Sequence, residues 1–119
     1  MSWIINNDLP IHQQLVDELT RRIITGDYPK GSRIPSVRDL ALEAKVNPNT
    51  MQKALNALEE KAIIHTQRTS GKYVTDQQKI IDKLQAELAN QLVSEFTSHM
   101  KKLGFNETKT IQTIKERWQ

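Results

Sequence analysis

Cysteine is absent from the 119 residues, which excludes disulfides and thiolate metal sites and removes the usual mark of a small secreted domain. The three histidines, His12, His65 and His99, stand far apart and share no i, i+4 ligand spacing, so no metal site is expected. No apolar run approaches the roughly 18 residues that a membrane-spanning helix needs, and the N-terminal segment has no basic stretch followed by a long apolar core. A cytoplasmic setting with no membrane partner is therefore expected. There is no glycine-rich phosphate loop, no nucleophile with a base at recognisable spacing and no cluster of carboxylates, so neither an enzyme nor a cofactor is expected. Internal repeats and low-complexity tracts are missing as well.

What remains is a chain long enough for one small core and one appended element. The net charge is only +3, but it is unevenly spread. Residues 1–29 hold Arg21 and Arg22 against Asp8, Asp17, Glu18 and Asp27; residues 30–72 hold Lys30, Arg33, Arg38, Lys45, Lys53, Lys61, Arg68 and Lys72 against Asp39, Glu43, Glu59 and Glu60. Positive charge concentrated in one segment suits a polyanion, because bound lysines and arginines release condensed counterions from phosphates.

That segment also carries two helix starts in tandem. Ser36 is placed to cap a helix with Asp39 as its capping-box partner, and Val37, Leu40, Ala41 and Ala44 give that helix a short buried face. After a tight turn, Asn47 caps a second helix whose first position is Pro48. Met51, Ala54, Leu55 and Leu58 fall on its buried side and leave Asn49, Gln52, Lys53 and Asn56 exposed, a hydrogen-bonding face of the kind that enters the major groove in a helix-turn-helix. Upstream, Ile11, Leu15, Leu19 and Ile23 recur every four residues and predict a helix over 10–25, stopped at Gly26. Downstream, the runs 63–67 and 72–75 flank Arg68-Thr69-Ser70-Gly71 and read as a β-hairpin with a basic tip. The fold class expected is mainly α with a small β-hairpin: a winged helix-turn-helix over 1–75, followed by a helical dimerisation region over 76–119. In that region Ile80, Leu84, Leu88, Leu92, Phe96 and Met100 recur every four residues of an unbroken helix, and Asn106 caps a last short one. Ile81, Leu84, Leu88, Leu92 and Phe96 are the expected dimer seam, since so much apolar surface has few places to go except a partner helix.

Leu9-Pro10-Ile11 with Gln14, Ile24-Thr25-Gly26-Asp27-Tyr28-Pro29-Lys30-Gly31, Ile34-Pro35-Ser36-Val37-Arg38-Asp39-Leu40-Ala41, Asn49-Thr50 with Ala54-Leu55, and Arg68 through Val74 follow one another in an order and spacing that closely resembles the DNA-binding domain of the GntR family of bacterial transcription regulators. The short C-terminal part resembles the YtrA-type subfamily, whose members carry only a pair of dimerising helices after the wing. The resemblance implies a homodimer that binds double-stranded DNA at an inverted repeat, as a repressor, with transporter operons among the targets of such relatives. It implies that Arg38, Asn47, Asn49, Thr50, Gln52, Lys53, Arg68 and Gly71 face the DNA; it names no effector. Two other readings stay open on the residues alone: a winged helix used for protein–protein contact, and an architectural protein binding nucleic acid without sequence preference. Where the family usually has glycine this chain has Lys45, Ala62 and Thr69, positions at which a left-handed backbone would cost about 1–2 kcal/mol. Trp3 and Trp118 are expected at domain or dimer contacts.

Overall fold

Leu15, Leu19 and Ile23, one turn apart on helix α1 (Ile11–Ile24), are all buried, and this stripe packs α1 against the third helix of the chain. The computed structural model describes residues 3–119. After α1 come α2 (Val37–Ala44), α3 (Pro48–Glu60), the strands β1 (Ile64–Gln67) and β2 (Gly71–Val74), α4 (Gln78–Lys102) and α5 (Glu107–Arg117). The strands form one antiparallel hairpin with Ile64 opposite Val74 and Gln67 opposite Gly71. Leu40, Met51, Ala54, Leu55 and Leu58 complete the core from α2 and α3, and Ile64 and Val74 root the hairpin in it. This is the winged helix-turn-helix expected from the sequence.

The caps set the two tandem helices at their starts. Ser36 Oγ accepts from the Asp39 N–H at 3.1 Å and Asn47 Oδ1 from the Asn49 N–H at 2.7 Å. The N-terminal arm is fastened to α1 by Gln14, whose side chain accepts from the Asn6 N–H at 2.8 Å and donates back to the Asn6 carbonyl at 2.9 Å. Trp3, at the start of that arm, packs against the core, its ring 4.3 Å from the buried Arg22 guanidinium, which donates to Glu18 at 2.8 Å and to the Tyr28 hydroxyl at 3.0 Å. Burial raises the Tyr28 pKa despite the opposing effect of Arg22. Trp118, by contrast, is largely exposed.

Two of the three missing glycines leave their turns unchanged in shape. Lys45 and Ala62 both adopt the left-handed conformation, with φ of 58° and 60°. Each closes a helix with the same pair of backbone bonds: Val46 N–H to Ala41 C=O and Lys45 N–H to Leu42 C=O after α2, Ile63 N–H to Leu58 C=O and Ala62 N–H to Glu59 C=O after α3. Buried Ile63 and Leu58 hold the second turn in place. Thr69 is not in a left-handed conformation, so the wing tip has a different turn. Substituting Lys45→Gly or Ala62→Gly is therefore expected to relieve about 1–2 kcal/mol of strain against about 0.5–1 kcal/mol of added chain entropy, raising the melting temperature by a few degrees each. Thr69→Gly is expected to gain nothing. Calorimetry on the three variants checks the contrast.

The chain divides into two compact units, the first ending at Leu84 and the second running from Gln85 to Gln119. The division falls later than the expected boundary at residue 75. Only three residues separate β2 from α4, so the first turns of that helix lie against the domain they leave: Ile81 is 7% exposed within the core, and Ile80 and Leu84 pack onto it. Ile81, expected on the dimer seam, is instead a core residue of the winged helix, and Leu84 is half buried beside it. In the second unit, Asn106 caps α5 by accepting from the Lys109 N–H at 2.9 Å, and Val93, Phe96, Phe105, Ile111 and Ile114 line an apolar groove of about 480 Å³ between α4 and α5. Leu88 is half buried, whereas Leu92 and Val93 are 57% and 58% exposed.

Candidate nucleic-acid interface

Helix α3 buries Met51, Ala54, Leu55 and Leu58. At 100° per residue the opposite side of the cylinder is Asn49, Lys53 and Asn56, and all three are exposed; Thr50 and Gln52 flank it, half buried. Gln52 Nε2 donates to Asn56 Oδ1 at 2.8 Å, one turn along. The pair leaves Gln52 Oε1 as an acceptor and the Asn56 amide as a donor, the two functions that an adenine edge or its neighbour requires. The sequence places Asn56 on this exposed face, though the family resemblance does not carry it over as a DNA contact; its i, i+4 spacing from Gln52 is the signal for their pairing.

The start of α3 offers less than a generic helix terminus. Pro48 has no N–H, the Asn49 N–H is taken by the Asn47 side chain, and the Thr50 N–H bonds the Asn47 carbonyl at 3.0 Å. Backbone amides there are spent, so any phosphate contact falls to side chains, among them the Nδ2 of Asn47. Arg38, the second residue of α2, is exposed. It forms no ion pair with Glu43 or any other carboxylate among the described residues, and the same holds for Lys53 and Arg68. A cation held at a surface without a partner keeps its full charge for an incoming anion.

Lys72 is different. Its ammonium donates to Glu59 Oε1 at 3.0 Å and to Thr66 Oγ1 at 2.9 Å, while the Thr66 hydroxyl donates to the same carboxylate oxygen at 2.5 Å. These bonds tie both strands of the wing to the last turn of α3. The Thr66 hydroxyl and then Lys72 hold the Glu59 carboxyl below the usual carboxylate range. One of the eight cations in the 30–72 segment is thus spent on positioning the wing.

Gly71, expected to face DNA, has a structural reason to be glycine. Its φ is +115°, and a Cβ there would lie 2.9 Å from Arg33 Nε. Arg33 itself forms an antiparallel bridge with Tyr73, and Ile34 N–H and Val74 N–H bond across to Lys72 and Ser32 carbonyls at 3.0 and 2.9 Å, so the segment 32–34 lies along the free edge of β2. No group of three or more histidines, aspartates or glutamates could hold a metal ion among the described residues, and no helix is long and apolar enough to cross a membrane.

The profile of "Bacterial regulatory proteins, gntR family" matches residues 11–74, the span from α1 to the end of the wing. The chain is 32% identical over 106 residues to the uncharacterized HTH-type transcriptional regulator YhcF of Bacillus subtilis, covering 89% of this chain and 88% of that one. It is 37% identical over 70 residues to the HTH-type transcriptional repressor YtrA of the same organism, here covering 59% of this chain and 54% of the relative. Among solved structures, a GntR family transcriptional regulator from Listeria monocytogenes superposes with a TM-score of 0.90 at 40% identity, covering 96% of this chain and 100% of the other. The match spans both the winged helix and the two C-terminal helices. It sets aside the protein–protein module reading: with the α3 face and the wing in place, the chain belongs to the GntR family as a DNA-binding transcriptional regulator.

Proposed function

We propose that the protein is a homodimeric repressor that binds an inverted-repeat operator, with α3 of each protomer in one major-groove half-site. The observation that carries this is the exposed face of α3, where Asn49, Lys53 and Asn56 lie opposite the core with Gln52 beside them, and where no carboxylate among the described residues pairs with Lys53. Asn and Gln amides read adenine, a lysine reads guanine or binds phosphate, and Arg68 at the wing tip fits the negative potential of a narrow minor groove. The dimer reading is supported by the exposed apolar residues of α4 and α5. The repressor reading is supported by the YtrA relative, which is named a transcriptional repressor, and a transporter operon is the target that the family resemblance favours.

Footprinting on the promoter of its own operon is expected to show two protected half-sites about one helical turn apart, on one side of the duplex. Protection that spreads evenly over unrelated sequence at physiological salt would overturn the proposal in favour of an architectural role.

A further inference from the structure

We propose that Arg33 is a second DNA-backbone contact of the wing, its guanidinium lying in the space that the absence of a side chain at Gly71 leaves; this rests on the reading that α3 and the wing face DNA. Arg33 is bridged to Tyr73 through its backbone, yet its guanidinium reaches two residues further along β2, with Nε 2.9 Å and Nη2 3.3 Å from where a Gly71 Cβ would stand. The side chain therefore runs along the strand toward the 68–70 turn, where Arg68 sits. Residue 71 pairs with Gln67 at the end of the hairpin nearest that turn, so the guanidinium lies close to the tip.

Three features make it a ligand for an anion rather than a packing element. Arg33 is exposed, and no carboxylate among the described residues pairs with it. Its partners in the bridge, Tyr73 and through it the stacked His65, form the outer face of the wing, whereas Lys72 and Val74 alternate to the inner face and are engaged by Glu59 and by the core. The wing thus separates its cations: Lys72 secures the hairpin to α3, and Arg33 stays unpaired on the other side. Duplex phosphate is the anion this geometry suits, since a guanidinium offers planar, paired donors.

The test compares Arg33→Gln, Lys53→Gln and the unaltered full chain on a short duplex of arbitrary sequence, with affinity measured across a salt series and melting temperature as the folding control. Arg33→Gln is expected to weaken binding about five- to tenfold and to make the plot of log affinity against log salt shallower by about one per protomer. An unchanged slope for Arg33→Gln beside a shallower one for Lys53→Gln overturns the Arg33 contact and leaves the DNA-facing reading intact. Unchanged slopes for both overturn the two together. If Arg33→Gln lowers the melting temperature, Arg33→Lys decides: a slope near that of the unaltered chain supports the charge contact. A slope as shallow as that of Arg33→Gln assigns the effect to packing and overturns it.

Discussion

Replacing Arg38 and Lys53 together by alanine is expected to abolish specific operator binding at physiological salt while leaving the melting temperature almost unchanged. Both side chains are exposed and neither is paired, so their removal opens no cavity and strands no buried charge. A well-placed contact of this kind is worth about 1–3 kcal/mol per site, and a dimer would lose each contact twice. The combined loss is expected to exceed about a thousandfold, more than the margin that typically separates weak specific from non-specific binding. A gel-shift titration with the operator fragment measures it, and the single variants separate the two roles. Lys53→Ala is expected both to weaken binding to any duplex and to change the preferred bases at one position of each half-site, Arg38→Ala only to weaken binding evenly across sequences. Wild-type affinity in the double variant would remove α2 and α3 from the interface.

The contrast with Glu59 shows why the surface charges cannot be ranked by sign alone. Glu59 lies on the same helix as Lys53, and removing it would take away a negative charge close to the DNA, which in isolation favours binding. Its carboxylate, however, accepts from Thr66 and Lys72 and so fixes both strands of the wing against α3. Lys72 likewise adds a positive charge to the segment without leaving it free.

Much of this was legible in the sequence because it is local. Ser36 and Asn47 announce their helices by chemistry that operates within three residues, and the four-residue spacing of Leu15, Leu19 and Ile23 states the buried side of α1 directly. Three things were not legible. The left-handed turns at Lys45 and Ala62 survive without glycine because the flanking core residues fix both ends of each turn, a non-local constraint. Arg33 looked like one more lysine-or-arginine in a basic segment, since its position beside Gly71 depends on a bridge between residues forty apart in sequence. Ile81 shares the apolar stripe of α4 with Leu88 and Leu92, and periodicity cannot say where along one helix the partner changes from the chain's own core to something else.

That change of partner along α4 narrows where the proposed dimer contact would lie. With Ile81 and Leu84 occupied in the first unit, we assign the proposed seam to Leu88, Leu92, Val93 and Phe96 on α4, Ile111 and Ile114 on α5 and Trp118 just after it, of which all but Leu88 are exposed in the single chain. Leu92→Glu combined with Phe96→Lys is expected to yield a folded monomer. The pair stands at i, i+4 with the acid toward the N-terminus, an arrangement that supports an isolated helix by about 0.2–0.5 kcal/mol, so α4 should persist while its surface turns polar. Each buried leucine- or phenylalanine-sized side chain lost from the contact removes about 1.5–3 kcal/mol, and a two-fold interface loses each one twice. Sedimentation equilibrium at micromolar concentration is expected to show a dimer for the unaltered chain and a monomer for the variant, with unchanged helix content by circular dichroism. Operator affinity is then expected to fall by about 100- to 10,000-fold, because two linked half-site contacts become two independent ones. Affinity for a single half-site should stay the same, and this separates loss of the dimer from damage to the recognition helix. A variant that remained dimeric would place the interface elsewhere on the molecule, and one that became monomeric yet kept full operator affinity would show that the two half-sites are not read by one dimer.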